Sequence, residues 1–230
     1  MRILGLITAR GGSKGIPGKN IKILGSIPLI NYTIASAKES KLLSKIVLSS
    51  DDEEIMKISG QQGVEVPFKR PGELAEDNTP SLKVIQHALD FFKAKNENFD
   101  AICLLQPTTP FRRNGLIDDA IRKFISGNYD SLISVREIPT DFNPHWAFED
   151  HNGILRIATG EKTPIPRRQE LPKAYHRDGT IYITATRQIM EENSLLGDNI
   201  GFINTMADDY VNIDTISDWE RAVEILKTRN

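Results

Sequence analysis

Short apolar runs alternate with amphipathic stretches over the first two-thirds of the chain, and this alternation limits the possible folds most. Five runs have the length and apolar content of buried strands, at residues 3–8, 44–49, 64–67, 101–105 and 131–135. Stretches with helical spacing of apolar residues lie between them, at residues 30–38, 51–61, 81–95 and 115–126. Strands that alternate with helices favour parallel crossover connections. The sequence therefore predicts an α/β fold with a doubly wound, mostly parallel sheet.

A proline-rich stretch interrupts this rhythm after the fifth predicted strand. Residues 139–175 contain five prolines and only short alternating runs, which are typical of a hairpin and an extended arm. The α/β pattern resumes with a strand at 180–184, and it closes with a strand at 210–214 and a helix at 216–227. We therefore predict a single domain over residues 1–230 with an inserted arm.

The charge and the cysteine content exclude several classes of protein. The chain carries a formal net charge of -2, so no overall field attracts it to nucleic acid or to a membrane surface. No stretch approaches the length of a membrane span. The one cysteine, Cys103, lies in an apolar run and cannot form an intramolecular disulfide, which suits a reducing cytoplasm. We expect a cytoplasmic protein that binds neither nucleic acid nor membrane.

The sharpest local signal is the segment ARGGSKGIPGKN at residues 9–20, directly after the first predicted strand. Its four glycines let backbone N–H groups turn toward one point, and Arg10, Lys14 and Lys19 add three positive charges. A nucleoside triphosphate needs both features. The segment is neither a Walker-type loop nor a G-x-G-x-x-G loop, and a flexible basic surface loop is the alternative. Its place after the first strand favours a ligand site, because open α/β sheets bind ligands at the carboxyl ends of their strands.

Five motifs occur in order across nearly the whole chain. They are ARGGSKG with KN (residues 9–20), RPGELA (70–75) with Ser81, LLQPTTPFR (104–112), RRQELP with DGTIYI (167–183), and NIDT (212–215). Together they resemble the motifs of the acylneuraminate cytidylyltransferase family, the CMP-sialic acid synthetases, with CMP-KDO synthetases as more distant relatives. Each motif is weak alone, whereas five in order make a chance match improbable. The resemblance implies a fold like that of the nucleotide-diphospho-sugar transferases.

The resemblance also implies a reaction in which CTP and a sialic-acid-like sugar give a CMP-sugar and pyrophosphate. It assigns Lys19, Arg10 and Asp214 to catalysis, with Lys19 stabilising most of the charge that develops as pyrophosphate leaves. The residues that it assigns to the nucleotide, the last three of them at cytosine and ribose, are Arg10, Gly11, Gly12, Ser13, Lys14, Lys19, Asn20, Arg70 and Ser81.

The same resemblance assigns the sugar to Gln106, Arg168 and Tyr182. Gln106 follows the strand at 101–105, where an amide can bind hydroxyl or acyl groups through paired hydrogen bonds. Arg168, on the arm, would meet the sugar carboxylate or a phosphate as a planar fork. The substrate stays open among N-acetylneuraminate, legionaminate, pseudaminate and KDO, which differ in a few hydroxyl and acylamino groups. In the family this arm takes part in dimerisation, so the resemblance implies a homodimer, and whether its active sites are shared stays open.

The Mg²⁺ site implied by the family falls on Asp214 and Asn212, where this chain departs from the family pattern. Two aspartates are common at these positions, and the amide oxygen of an asparagine binds a metal more weakly. Alternation along a strand keeps both side chains on one face. Asp208 and Asp209 upstream either compensate for the lost charge or form a solvated turn. The number of metal ions therefore stays open.

The segment before Asp178 departs from the family pattern as well, in which an arginine precedes a small or rigid residue. This chain has His176 and Arg177 there. Either one is a candidate contact for an anion, and His176 is also a candidate general base.

Two other functions remain open on the sequence. A GT-A-like glycosyltransferase shares a nucleotide-binding α/β half, but it usually carries a D-x-D motif in mid-chain, which this chain lacks. The basic loop after the first strand favours a free triphosphate over a nucleotide-sugar. A non-catalytic nucleotide-binding module is the second alternative, although such a module tolerates loss of Lys19 or Asp214 and both residues are present.

Overall fold

A six-stranded mixed sheet forms the centre of the molecule in the computed structural model, which describes residues 1–205 and 209–229. The strands are β1 (Ile3–Thr8), β2 (Ile23–Leu24), β3 (Ile27–Pro28), β4 (Lys45–Ser49), β5 (Ala101–Leu105), β6 (Ser131–Glu137), β7 (Phe148–His151), β8 (Ile154–Ile157), β9 (Tyr175–Ala185) and β10 (Ile200–Asn204). The helices are α1 (Leu29–Glu39), α2 (Glu53–Gln61), α3 (Ser81–Lys93), α4 (Leu116–Ser126), α5 (Thr186–Met190) and α6 (Ile216–Thr228). Within those two described ranges, every helix is too short or too polar to cross a lipid bilayer.

The strand order across the sheet is β10, β6, β9, β5, β1 and β4. β1 runs parallel to both β4 and β5, and β10 runs parallel to β6. β9 is reversed and lies antiparallel between β5 and β6. The predicted doubly wound, mostly parallel α/β fold is confirmed. The carboxyl ends of β1, β4 and β5 therefore share one edge of the sheet with the amino-terminal half of β9.

Helices cover both faces of the sheet, as the alternation in the sequence requires. α1, α2 and α4 pack on one face, where Ile34 and Phe124 belong to one apolar cluster. α3 and α5 pack on the other face through a second cluster, which includes Phe92 and Ile189. Cys103 is buried in the first cluster, and burial raises the pKa of its thiol to about 12. This cysteine is therefore a small core side chain rather than a nucleophile.

A third apolar cluster joins the beginning of the chain to its end. Ile16, in the glycine-rich loop, is fully buried, as is Ile213, and both belong to one apolar cluster with Trp219 of α6. α6 begins with a capping box, in which the side chains of Thr215 and Asp218 each accept a hydrogen bond from the other's backbone N–H group. The glycine-rich loop is therefore packed against the start of α6 by apolar contacts, independently of any ligand.

Two of the predicted strands do not form as strands. Residues 64–67 make only an isolated bridge to β4, because Pro67 has no N–H to continue a ladder. Residues 210–214 are irregular, and their backbone forms a hydrogen bond with a loop instead of with a strand. The Ile213 N–H donates to the Thr108 carbonyl at 2.8 Å. The prediction of strands in these two segments is wrong, because apolar content alone does not provide a neighbour for the backbone.

The sequence does not predict β10 or α5. β10 lies at the edge of the sheet, and Ile200 and Phe202 on it stay exposed. Its inward position is Gly201, which leaves room for the ring of Tyr129, so the apolar alternation typical of a strand is missing. α5 has five residues, which is too short for a helical period to be visible.

The segment 139–175 contains the antiparallel hairpin of β7 and β8. Three large apolar side chains on this hairpin are more than half exposed: Phe148 at 52%, Ile154 at 64% and Leu155 at 66%. Phe148 and Leu155 share one face of the hairpin, because Phe148 pairs with Ile157, two residues after Leu155. Exposed apolar neighbours of this kind favour a contact with another protein surface.

A buried arginine holds the turn that follows β5. Arg112 donates from Nε to the Thr180 carbonyl at 3.0 Å and from Nη1 to the Thr33 hydroxyl at 2.9 Å. Its Nη2 donates to the Gln106 carbonyl at 2.8 Å. Burial lowers the pKa of this guanidinium to about 10, so it stays charged at neutral pH. Among the described residues, Arg112 forms no ion pair with a carboxylate, and its role is to satisfy buried oxygens.

We expect Arg112→Met to lower the free energy of unfolding by about 2 kcal/mol or more, because several buried oxygens lose their donors. Urea unfolding followed by tryptophan fluorescence measures this change. The matched control is Arg113→Met, since Arg113 is half exposed and pairs with Asp119 on the surface. That variant should change the free energy by less than about 1 kcal/mol. Equal stabilities of the two variants contradict the structural role of Arg112.

Candidate functional site

The first candidate site is a cleft at the carboxyl ends of β1, β4 and β5. The loop after β1 is tied to the end of β4 by a 3.1 Å hydrogen bond from the Ala9 N–H to the Ser49 carbonyl. Gln106 follows β5 on the other side. The strand ends enclose a cleft of about 460 Å³. Its lining includes Arg10, Ser13, Lys14, Lys19, Asn20, Arg70, Asp77, Ser81, Gln106 and Asp214.

The glycine-rich loop has a defined conformation in this cleft. The Asn20 side-chain N–H donates to the Arg10 carbonyl at 2.9 Å, which closes the loop on itself. Gly18 has a φ of 63°, which favours glycine. The backbone at Gly15 lies so close to the Asp214 carbonyl that no side chain would fit between them. Two of the four glycines are therefore needed for the turn and for the close approach of two backbones.

Lys19 is the best-fixed cation of the loop. Its ammonium donates to the Ile213 carbonyl at 2.7 Å and to the Asp214 carboxylate at 3.1 Å. The Lys19 side chain is only 11% exposed, whereas that of Asp214 is 60% exposed. The buried lysine is thus held by a backbone oxygen, and its carboxylate partner is exposed to the cleft and to solvent.

Arg10 and Lys14 share one carboxylate that the sequence analysis did not single out. Asp77 lies 2.5 Å from the Arg10 guanidinium and also pairs with the Lys14 ammonium. The Lys14 and Arg10 side chains lower the pKa of the Asp77 carboxyl through these hydrogen bonds. Arg10 donates in addition to the Ala75 carbonyl at 3.4 Å. The Asp77 carboxylate of the same chain is therefore paired with two of the three cations of the loop, Arg10 and Lys14.

The remaining loop positions differ in their contacts. The Gly11 N–H donates to the Asp51 carboxylate at 3.1 Å, so it is engaged by a residue that follows β4. Open space surrounds Gly12, and the Ser13 N–H donates to the Gly11 carbonyl at 3.0 Å. Asp52, next to Asp51, caps α2 by accepting from two N–H groups in its first turn. Acidic residues at the start of α2 thus hold both the helix and the loop.

Arg70 lies in the wall of the same cleft and is nearly buried. Its Nε donates to the Ser49 hydroxyl at 3.0 Å, and its Nη2 donates to the Ser49 carbonyl at 2.5 Å. Burial lowers the pKa of this guanidinium to about 10. Arg70 forms no ion pair with a carboxylate in the two described ranges, so the alternative of a surface salt bridge does not apply. Ser81, the first residue of α3, lines the cleft beside it.

A second cleft of about 410 Å³ adjoins the first along one wall. Four residues line both clefts: Ser81, Gln106, Thr108 and Asp214. The second cleft continues to β9 and to the segment before α6, where it is lined by Leu104, Arg177, Asp178, Gly179, Tyr182, Leu195, Tyr210 and Asn212. Two ligands that fill the two clefts would meet at the shared wall.

A bulge in β9 shapes this second cleft. The pairing of β6 with β9 shifts register between Ile133 and Val135. The Ser134 hydroxyl fills the gap by donating to the Asp178 carboxylate at 2.5 Å and accepting from the Ile181 N–H at 2.8 Å. The buried Asp178 also accepts a hydrogen bond from the Thr205 hydroxyl. The buried carboxylate of Asp178 is thus structural, and its neighbour in the chain, Arg177, lines the second cleft.

Two of the three residues assigned to the sugar lie at this second cleft. Gln106 and Tyr182 line it, and burial raises the pKa of the Tyr182 hydroxyl. Arg168 lines neither cleft: it is exposed on the arm and donates to the Thr140 hydroxyl at 3.3 Å. His176 is exposed and also lines neither cleft, whereas Arg177 does. Within a single chain, Arg177 therefore fits the contact with the sugar carboxylate that was expected of Arg168, because Arg177 lines the second cleft.

The oxygen donors for a divalent cation are few. Asp214 and Asn212 lie side by side, with the Asn212 amide donating to the Asp214 carboxylate at 2.7 Å. Over residues 1–205 and 209–229, no three His, Cys, Asp or Glu side chains form a metal-binding group. Asp209 is paired with Arg229, and Asp208 lies outside the described residues. The Asp214 carboxylate fits Mg²⁺, which commonly takes its other ligands from phosphates and water, and the Asn212 amide adds an oxygen ligand once it turns, because its N–H group now faces Asp214.

Several site residues were missed by the sequence analysis. Asp77, Asp51 and Thr108 carry no signal of their own, because each depends on a neighbour that is distant in the chain. Asp77 lies two residues beyond the second motif, and Thr108 lies within the third. These positions at the motifs are the feature of the sequence that points to Asp77 and Thr108, whereas Asp51 lies away from all five motifs and no sequence feature points to it.

Comparisons with known proteins agree with this geometry. A family model described as cytidylyltransferase matches residues 4–198. The chain is 32% identical over 230 residues to the pseudaminic acid cytidylyltransferase of Campylobacter jejuni, which covers 100% of this chain and 98% of that protein. It is 31% identical over 232 residues to the CMP-N,N'-diacetyllegionaminic acid synthase of Legionella pneumophila, with 99% and 97% covered.

A solved structure supports the fold. CMP:2-keto-3-deoxy-manno-octonic acid synthetase in complex with CTP superposes with a TM-score of 0.74 at 16% identity, over 100% of both chains. The resemblance drawn from the five motifs is confirmed by the family match and by the curated relatives. The chain belongs to the cytidylyltransferase family and is a nucleotidyltransferase.

Proposed function

We propose that the protein transfers the cytidylyl group of CTP to a nonulosonic acid, forming a CMP-sugar and releasing pyrophosphate. The observation that carries this proposal is the wall that two clefts share, with Gln106, Thr108 and Asp214 lining both. A transfer reaction needs two ligands that meet in a fixed orientation. The relatives named for pseudaminic acid and diacetyllegionaminic acid support an acidic sugar as the second ligand.

In this proposal the triphosphate occupies the cleft beside the glycine-rich loop. Arg10 and Lys14 bind its outer phosphates, and Ser13 and Gly15 line the same cleft beside them. Lys19 stays in place whatever the ligand does, because the Ile213 carbonyl holds its ammonium. The nucleoside lies toward the wall made by Arg70, Ser81 and Asn20.

The transfer itself follows from this arrangement. The anomeric C2 hydroxyl oxygen of the sugar attacks the α-phosphorus, and the bond from that phosphorus to the oxygen that bridges to the β-phosphate breaks. Pyrophosphate leaves with the bonding electrons, and the hydroxyl proton passes to water. Lys19 neutralises the charge that develops on the leaving group, and a fixed donor of this kind is worth more than a mobile one.

Mg²⁺ is the proposed cofactor, held by the Asp214 carboxylate and the Asn212 amide. When bound, the ion would neutralise negative charge on the phosphate oxygens. Because Asn212 adds no negative charge, the protein provides one carboxylate, and the phosphates of CTP have to provide the other charged ligands. Asp214 also pairs with Lys19, so a cation held by Asp214 would leave the Lys19 ammonium free to meet the leaving group.

The sugar occupies the second cleft. Gln106 offers both an amide donor and an acceptor to its hydroxyl or acyl groups. Arg177 and Tyr182 line the same cleft, and a guanidinium there suits the sugar carboxylate. Tyr210, whose hydroxyl donates to the Asp178 carbonyl at 2.7 Å, closes the far side. Arg168, on the arm, is proposed to reach the sugar of a neighbouring subunit.

The working form is proposed to be a cytoplasmic homodimer of a single domain with an inserted arm at 139–175. The exposed apolar residues of the arm, Phe148, Ile154 and Leu155, support a contact between two copies. Sedimentation of the purified chain measures this directly. A single species at the monomer mass, at concentrations that support activity, contradicts the dimer.

Purified protein supplied with CTP, Mg²⁺ and a panel of nonulosonic acids should release pyrophosphate, and ATP, GTP or UTP in place of CTP should not support release. The panel contains pseudaminic, legionaminic, N-acetylneuraminic and KDO acids. A coupled pyrophosphate assay and mass spectrometry of the CMP-sugar read out the reaction. CTP binding without turnover on any acid favours a non-catalytic module, and turnover of a nucleotide-sugar donor favours a glycosyltransferase.

Lys19→Ala and Asp214→Ala should fail in different ways. Lys19→Ala is expected to lower kcat by about a hundredfold at every Mg²⁺ concentration, because the leaving group loses a fixed cation. Asp214→Ala is expected to abolish the stimulation by Mg²⁺, because the protein loses its one charged metal ligand. The control is Lys22→Ala, since Lys22 lies over the Trp219 ring and lines neither cleft. Near-normal Mg²⁺-dependent rates in Asp214→Ala contradict the metal assignment.

A further inference from the structure

All three cations of the glycine-rich loop are already paired with carboxylates of the same chain. Lys19 pairs with Asp214, and Arg10 and Lys14 both pair with Asp77. Asp214 is the proposed metal ligand, so its pair with Lys19 already belongs to the proposed function. Asp77 has no such role, yet it occupies the two groups that the β- and γ-phosphates need.

We propose that Asp77 is an intramolecular competitor for the outer phosphates and thereby a determinant of phosphate specificity and of pyrophosphate release. The inference rests on the proposed function of the loop as a polyphosphate site. A ligand that carries β- and γ-phosphates must displace the Asp77 carboxylate from Arg10 and Lys14. A ligand with a single phosphate near Lys19 leaves that pair in place.

Asp77 is positioned to leave and to return. Its side chain is 37% exposed, and it follows a short turn of 3₁₀-helix at Gly72–Leu74, so it can turn outward without breaking the core. The turn is held by a 3.0 Å hydrogen bond from the Thr79 hydroxyl to the Glu73 carbonyl. A tethered carboxylate has a high effective concentration at its partners, which favours its return once the bond to the α-phosphate is broken.

The competition acts on both CTP and pyrophosphate, because each has to displace Asp77 from Arg10 and Lys14. It lowers the affinity for each ligand by the same factor. In the proposed function CTP is also held through its nucleoside at Arg70 and Ser81, whereas pyrophosphate has only the loop cations. Pyrophosphate is therefore left the more weakly bound of the two, which favours departure of the leaving group and limits product inhibition.

Asp77→Asn is expected to bind inorganic pyrophosphate about fivefold more tightly than the wild-type chain, because two partly exposed ion pairs no longer compete. Isothermal titration calorimetry in metal-free buffer measures the affinity, with thermal unfolding to check that the variant folds. CMP, titrated in the same way, should change by less than twofold.

The matched control is Glu76→Gln, which removes the same charge from the adjacent residue. Glu76 lines the same cleft but forms no ion pair within the described parts of the chain. An equal gain in both variants means a general charge effect and overturns the proposal. Unchanged or weaker pyrophosphate binding in Asp77→Asn overturns it as well.

The outcome is separable from that of the proposed function. If the wild-type chain turns over CTP with a nonulosonic acid and Asp77→Asn binds pyrophosphate no more tightly, the competitor is wrong and the reaction stands. If the wild-type chain binds no pyrophosphate at all, the assignment of the loop fails together with the competitor.

Discussion

Like charges on a short loop repel one another, and the fold meets this repulsion with carboxylates from distant parts of the chain. Lys19 pairs with Asp214, 195 residues later, and Asp77 neutralises Arg10 and Lys14. These pairs hold in one cleft a set of cations that would otherwise spread into solvent. The cations therefore lie together in one cleft, which is the property on which the proposed chemistry depends, and a polyphosphate has to displace their carboxylate partners to bind there.

Apolar packing behind the loop fixes the positions of the side chains that form these ion pairs. Ile16 of the loop is buried in the same apolar cluster as Ile213, and the Ile213 carbonyl accepts a hydrogen bond from Lys19. One residue thus links the core to the charge at the centre of the cleft. The close approach of Gly15 to the Asp214 backbone adds a steric limit that any side chain would break. Packing, hydrogen bonding and electrostatics act here on the same few atoms.

The sequence predicts the sheet and the loop well, because both depend on local patterns. Apolar runs with helical stretches between them define β1, β4, β5 and β6, and glycines with cations define the loop. It fails where the deciding contact is distant in the chain. A glycine is needed at position 201 in β10 because the ring of Tyr129 lies against it. Residues 210–214 form a backbone hydrogen bond with the loop at Thr108 instead of with a strand.

The same distinction holds for the candidate site. The motifs identify Lys19, Arg70, Gln106 and Asp214, which lie together as the resemblance implies. Asp77 is not predicted from the sequence, because its role depends on ion pairs with Arg10 and Lys14, which are distant in the chain.

The measurement that tests the site most directly is a crystal structure of the wild-type chain with CTP. Phosphate oxygens are expected within about 3 Å of the Lys19 ammonium and the Arg10 guanidinium. A nucleotide bound elsewhere, with this loop still closed on its own carboxylates, would contradict the assignment of the loop.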